Sequence, residues 1–342
     1  MDRITAGSGG YRMPAEWEPH EGTWIAWPHE ETDWPGKFEA VPWVYCEFVR
    51  QLSRVERVHI LVSDESRTRD MLIKSGSRMD AVDLIPCRTD RSWARDYCPI
   101  FVRDSAGRML MTDWRFNGWA RYDNWEHDDA VPSYLAQRLG MHALRPEHNG
   151  RRVVLEGGSI DVNGRGLLLT TEECLLSPIQ QRNPRFSRED YEAIFAHWLG
   201  ISETIWLHHG IAGDDTHGHI DDLARFVDTE TVALAVERDP SEINYEPLQE
   251  NLRLLRAQPL RVVELPMPEP VCFDGQRLPA SYANFYIAND AVLVPTFNDP
   301  NDRLALNTLA EVFPGRKVIG IGSADLVLGL GTLHCMTQQQ PA

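Results

Sequence analysis

The stretch 40–62, AVPWVYCEFVRQLSRVERVHILV, decides the architecture. Its first part sets Val41, Val44, Phe48, Leu52 and Val55 at helical spacing, which predicts a helix over residues 40–54. Its end, Arg57–Val62, is apolar and strand-sized. Upstream, Thr23–Trp27 reads as a buried strand ending at Pro28; downstream, Glu65–Ser75 reads as a helix. The rhythm returns along the chain. Strand-like runs lie at 100–102, 110–113, 153–155, 166–170, 204–207, 231–236, 261–265, 291–294 and 317–321, and helix-like runs at 129–139, 188–199, 243–257 and 302–313. This alternation predicts an α/β fold. Helices recur roughly every 45–70 residues, which hints at a repeated supersecondary unit. No Ser/Gly linker or charge run marks a boundary, so one compact domain over residues 1–342 is expected.

The charge balance excludes several functions. Lys plus Arg number 34 and Asp plus Glu 51, a net charge of −17. Phosphate backbones need a basic face, so nucleic acid is disfavoured, as are anionic membranes. The first residues carry no apolar leader, and the longest apolar runs, such as Thr231–Val236, are far short of a membrane span. The six cysteines are scattered with no CxxC pair, the usage of reduced thiols, so a cytoplasmic location is expected.

Four polar clusters could carry chemistry. Thr89–Asp96 puts charged residues beside Trp93 just before a strand; the plainer reading is a solvated loop with a surface ion pair. Leu155-Glu-Gly-Gly-Ser159 sets a carboxylate before two glycines, where another group can approach the backbone closely; a plain hairpin would also fit. It lacks the spacing of a phosphate loop or dinucleotide fingerprint. Gly213-Asp-Asp-Thr-His-Gly-His-Ile-Asp-Asp222 packs four aspartates and two histidines into ten residues. In an extended segment His217, His219 and Asp221 would share one face, as an acid/base pair or a metal site. Gly329-Leu-Gly-Thr-Leu-His-Cys335 delivers a thiol on a tight bend, although a lone Cys is more often a small core residue.

Together these supply a thiol, an imidazole and several carboxylates, with no Cys/His set at structural zinc spacing. Nearby carboxylates disfavour a thiolate. The combination makes sense for a cationic substrate: a guanidinium would bind the carboxylates and stabilise the thiolate as it arrives.

With these motifs in place, the chain resembles the agmatine deiminases and related bacterial peptidyl-arginine deiminases of the guanidine-modifying (pentein) superfamily. The resemblance spans nearly the whole length, from Arg12-Met-Pro-Ala-Glu-Trp-Glu-Pro19 through Trp93-Ala-Arg-Asp96, Leu155-Glu-Gly-Gly158, Arg182-Asn-Pro184 and Gly218-His-Ile-Asp-Asp222 to His334-Cys-Met-Thr-Gln-Gln339. It implies a five-bladed α/β propeller of ββαβ-type pseudo-repeats. It puts Cys335 at the nucleophile position, His219 at the general acid/base position, Glu156 as the acid paired with that histidine, and Asp96 and Asp221 as guanidinium-binding carboxylates. Trp93, Asn284 and Arg91 are further pocket positions. It implies no metal or organic cofactor, a small cationic guanidine as the only partner, and room for a homo-oligomer. The expected reaction is agmatine hydrolysis to N-carbamoylputrescine and ammonia through a covalent thiouronium. Arginine or peptidyl-arginine deimination to citrulline is the alternative by the same chemistry; a metal-dependent hydrolase and a non-catalytic binder are the readings from other classes.

The chain departs from the family's pattern in three places. The usual Asn-Asp-Ala-Trp reads Asp90-Arg-Ser-Trp93, the usual Gly-Gly-Gly-Asn-Ile reads Gly329-Leu-Gly-Thr-Leu333, and Cys98 replaces a glycine. Arg91 thus stands where the family carries an acid. Facing the pocket, it would repel the amine of agmatine and favour a carboxylate-bearing substrate. Pointing to solvent, or paired with Asp90, it would be neutral to specificity.

Overall fold

The computed structural model describes residues 10–342. Residues 1–9, part of the stretch over which no leader was read, lie outside it. The chain adopts a mixed α/β fold in which one small open sheet recurs five times among the described residues. Each unit has a short strand, a central strand antiparallel to it, a helix, and a strand returning parallel to the central one. A helix is the usual way to bring a chain back parallel.

Four units follow one another along the chain. They are Ile100–Arg103, Met109–Thr112, helix Val131–Leu139 and Ala143–Leu144; then Asp161–Val162, Leu167–Thr171, helix Arg188–Leu199 and Glu203–Leu207. Ala224–Phe226, Thr231–Val236, helix Tyr245–Arg256 and Arg261–Pro266 form the third. Tyr286–Ile287, Ala291–Thr296, helix Asp302–Val312 and Lys317–Gly322 form the fourth. The remaining unit joins the two ends of the described chain. Thr337–Pro341 runs antiparallel to His20–Ala26, which pairs in parallel with Arg57–Val62 after helix Val41–Leu52. Helix Glu65–Ser75 then leads to a further parallel strand, Val82–Pro86.

Local chemistry explains these elements. Helix Val41–Leu52 buries Val41, Tyr45, Phe48, Val49 and Leu52 along one stripe and starts with Pro42, which needs no amide donor there. Asp64 caps Glu65–Ser75 by accepting from Arg67 N, and Ser187 with Asp190 forms a reciprocal capping box on Arg188–Leu199. Central strands such as Thr231–Val236 are buried throughout, which is why they read as unbroken apolar runs.

Two expectations need correction. Residues 153–155 are not a strand: Val153 and Leu155 are apolar because they are buried, and only Val154 bridges to Arg115. Thr337–Pro341, too polar to read as a strand, is one. Two of its three glutamines are held individually: Gln340 Oε1 accepts from Trp24 Nε1 at 2.9 Å, and Gln339 Oε1 from Arg95 Nη1 at 2.6 Å. Among the described residues no helix is long and apolar enough to cross a membrane.

Glu16 ties these units together. Its buried carboxylate pairs with Arg225 at 2.8 Å, Arg95 at 3.1 Å and His334 at 2.8 Å, and accepts from Ile287 N at 2.8 Å. Burial alone would raise its pKa, but Arg225, His334 and Arg95 hold it well below the usual carboxylate range. Glu16→Gln keeps the volume and removes the charge, leaving buried cations short of a partner. It is expected to destabilise the chain by about 3–5 kcal/mol, read as a lowered urea midpoint; an unchanged midpoint would refute the assignment of Glu16 as the hub.

Candidate active site

Five segments deliver the site. The one-turn helix Ala94–Tyr97 carries Asp96, and the turn Gly157–Ser159 follows Glu156. His219 caps the turn Ile220–Asp222, which carries Asp221. Asn284 precedes strand Tyr286–Ile287, and Cys335 precedes strand Thr337–Pro341. All five side chains named by the sequence as catalytic or guanidinium-binding are buried and meet one another.

His219 is the centre of the group. Its Nε2 lies 3.6 Å from Glu156 Oε2, and its Nδ1 lies 3.9 Å from both Asp96 Oδ1 and Asp221 Oδ1. Cys335 Sγ lies 3.6 Å from Asp221 Oδ2 and receives a hydrogen bond from Asn284 Nδ2 at 3.0 Å. Glu156 Oε2, His219 Nε2 and Asp221 Oδ1 are buried without a hydrogen-bond partner. Orphaned polar groups of this kind are costly, and the two carboxylate oxygens call for a donor-rich group. Asp96 and Cys335 open onto a cavity of about 780 Å³, also lined by Trp93, Trp119, Tyr122 and Arg91. Glu156, His219, Asp221 and Asn284 stand in the wall behind it.

The electrostatics follow from burial and like charge. Burial, with Asp221 and Glu156 adding repulsion, raises Asp96 to about 6 despite the opposing pull of His219. Burial would also raise Glu156, but Arg182, whose Nε donates to it at 3.1 Å, and His219 hold it at about 2. Burial alone would lower His219; the Asp96 charge, with Cys174 and Glu156 close by, holds it well above the ordinary imidazole value. Burial and then Asp221, Asp222 and Asp96 push the Cys335 thiol up.

Close packing sets these distances. A Cβ built on Gly158 would lie 2.6 Å from His219 Nδ1 and 2.8 Å from Asp96 Oδ1, so glycine is what lets both groups reach the backbone there. Gly158 N in turn donates to Asp96 Oδ1 at 2.9 Å, and Trp119 Nε1 to Oδ2 at 2.8 Å. On the opposite wall a Cβ on Gly331 would meet the Trp93 ring at 2.8 Å and Cys335 Cβ at 3.1 Å.

Several sequence readings change here. His217 does not share a face with His219. The chain turns through φ +68° at His217 and +91° at Gly218, so the segment is not extended. His217 instead faces Ser177 and Glu173. Two other groups bring three ligand-type atoms within 4.8 Å of one another, Glu156/Cys174/His219 and Asp221/Asp222/Cys335. Neither contains His217, so the metal set read from the sequence does not assemble. Arg91 neither points to solvent nor pairs with Asp90, which bonds His127. It is buried on the cavity wall, hydrogen-bonded to Asp33 and Asn124, with its guanidinium 4.1 Å from the Tyr122 ring centre.

The sequence reading missed Glu16, Asp33, Arg182, Trp119, Tyr122 and Asp222, and it missed the role of His334. His334 bridges Asp221 Oδ2 at 2.7 Å and Glu16 Oε2 at 2.8 Å. The imidazole links the two carboxylates and fixes Asp221 beside the thiol. Its position next to Cys335 was the only signal available.

A family model described as Porphyromonas-type peptidyl-arginine deiminase matches residues 12–341. This chain belongs to that family. It is 35% identical to an agmatine deiminase of Stutzerimonas stutzeri over 97% of this chain and 96% of that one. It superposes on a substrate-bound agmatine deiminase of C. jejuni with TM-score 0.89 at 31% identity, covering 97% and 96% of the two chains. An amidinotransferase from Microseira wollei, 12% identical with TM-score 0.51 over 96% of each chain, shares the fold alone. The match with the deiminase family thus covers every segment that delivers the site.

Gly158→Ala would force His219 and Asp96 away from their places. Misplacement on the order of 1 Å costs about 100-fold in rate, so kcat should fall by about that much. Steady-state ammonia release checks it; wild-type kcat would show that the contact sets no geometry.

Proposed function

We propose that this chain is an agmatine deiminase that hydrolyses agmatine to N-carbamoylputrescine and ammonia. The observation that carries this reading is the convergence of a thiol, an imidazole and three carboxylates on one cavity. Asp96, Glu156 and Asp221 hold the planar guanidinium through charge-assisted hydrogen bonds. The arriving cation offsets the carboxylates that hold the thiol protonated, so Cys335 releases its proton to solvent as a thiolate, and Asn284 donates to the sulfur. Cys335 Sγ then attacks the central carbon, forming a C–S bond. His219 gives a proton to the departing nitrogen, so the C–N bond breaks and ammonia leaves. The thiouronium that remains is attacked by water, which loses its proton to His219. Collapse breaks the C–S bond and leaves the ureido product.

The outer end of the cavity suits a second positive charge. Asp33, Asp215 and Asp274 line it against Arg91 alone, and Asp33 Oδ2 is buried without a hydrogen-bond partner. Arg91 is the observation that favours arginine or peptidyl-arginine as substrate, but its charge is already matched by Asp33. An ammonium meets net negative charge there; a carboxylate does not.

We further propose that the five units close into a five-bladed α/β propeller forming one domain over 1–342. Support comes from the closing pair of Thr337–Pro341 with His20–Ala26, and from contact of Thr337–Pro341 with Ile100–Arg103 and of Ala224–Phe226 with Asp161–Val162 in neighbouring units. The six cysteines are all free thiols, which supports the cytoplasm as the location. A homo-oligomer remains compatible with the fold.

An ammonia-release panel with agmatine, free arginine and peptides bearing internal or C-terminal arginine tests the assignment. Agmatine should have the highest kcat/KM, and Cys335→Ala should lose turnover while still binding agmatine. Preferred use of arginine, or an active Cys335→Ala, would sink the reading. The pH profile gives a second check. Asp96 must be ionised to hold the cation, and its pKa is raised to about 6. The kcat/KM for agmatine should therefore fall as pH drops through about 6, and Asp96→Asn should be slower and lack that limb. A low-pH limb that persists in Asp96→Asn would assign it to another group.

A further inference from the structure

Beyond the catalytic cavity, the chain has a small basic cavity that the deiminase reaction does not use. It encloses about 330 Å³ and is lined by Arg115, Arg151, Arg152 and Arg182, with Asn183 and Phe186 among its other walls. No carboxylate lines it, in a chain whose net charge is −17. Two of the four guanidiniums are committed elsewhere. Arg152 pairs with Asp113 at 2.8 Å and Asp129 at 3.4 Å, although its Nε is buried without a partner. Arg182 donates to Glu156, Gln180 O and Thr216 O.

The other two are not committed. The Arg115 guanidinium has no ion pair or hydrogen bond among the described residues and lies 5.7 Å from the centre of the Trp125 ring. Arg151 has no ion pair or side-chain hydrogen bond among the described residues. These two exposed guanidiniums share one pocket that no carboxylate lines, so an anion there would meet uncompensated positive charge. Guanidinium forks bind tetrahedral oxyanions in bidentate fashion.

We propose that this cavity is a binding site for a small dianion of the phosphate class. Two uncommitted guanidiniums balance two negative charges. Phe186 and Pro184 give one apolar wall, which fits either free phosphate or the organic part of a phosphomonoester. The site is separate from the catalytic cavity, yet Arg182 forms part of its wall while holding Glu156.

Titration calorimetry on the full chain at low salt, with inorganic phosphate, phenyl phosphate and succinate as probes, tests the site. One saturable phosphate per chain is expected, weakening as salt rises. Arg115→Ala/Arg151→Ala should lower phosphate affinity at least tenfold, with wild-type thermal melting and wild-type agmatine turnover in phosphate-free buffer. Tighter binding of phenyl phosphate would identify a phosphomonoester as the ligand; equal or weaker binding would identify the free ion. No saturable binding, unchanged affinity in the double variant, or succinate binding as tightly as phosphate would overturn the proposal. Both substituted arginines are exposed and outside the catalytic group, so failure here leaves the deiminase assignment standing. Should the double variant melt early, Arg151→Gln alone carries the same comparison.

Discussion

The arrangement depends on one buried carboxylate. Glu16 lies in the segment before the first described strand, yet it meets Arg95, Arg225, His334 and the backbone of Ile287. These come from parts of the chain that lie far apart in sequence. Taking a carboxylate out of water is expensive, and it is tolerated only where cations and donors surround it on every side. That requirement restricts how the units can sit. It also reaches the chemistry in one step: Glu16 holds His334, His334 holds Asp221, and Cys335 is the next residue.

Above this hub the site gathers like charges. Asp96, Glu156, Asp221 and Asp222 are buried about one thiol; burial first, and then repulsion among these charges, raises both Asp96 and Cys335. The framework offsets only part of it, through Arg182 on Glu156 and His334 on Asp221. What remains is a deficit of positive charge at the place where a planar cation would lie. A guanidinium supplies that charge and lowers the cost of forming the thiolate, so binding and activation of the nucleophile become one event. A neutral amidine analogue would lack this coupling.

Much of this was legible in the sequence. Helices Glu65–Ser75 and Arg188–Leu199 and strands Arg57–Val62 and Thr231–Val236 have the bounds that periodicity assigned, because apolar stripes and caps are local properties. Cys335, His219, Glu156, Asp96 and Asp221 stood in dense, unusual motifs. What was not legible is whatever depends on a partner far along the chain. Thr337–Pro341 is a strand because it pairs with His20–Ala26 while Trp24 and Arg95 hold two of its three glutamines, not because of its own pattern. His217 looked like a twin of His219 until the backbone turned between them. Glu16 sat in a recognisable block, but nothing local marked it as a hub.

Arginines show the same limit from the other direction. Arg91 departs from the family's acid and looked like a change of specificity. Its charge, however, meets Asp33 on the cavity wall, so the departure alters the wall's shape more than its field. Arg115 and Arg151 drew no attention in the sequence, where they are two cations among 34 basic residues. Their meaning comes from what does not face them: they share one cavity and no carboxylate balances them. Other arginines also lack an ion pair, so it is the sharing of one carboxylate-free cavity by Arg115 and Arg151 that is informative. Charge type is read from sequence, but charge balance is a property of the fold, and recognition follows the balance.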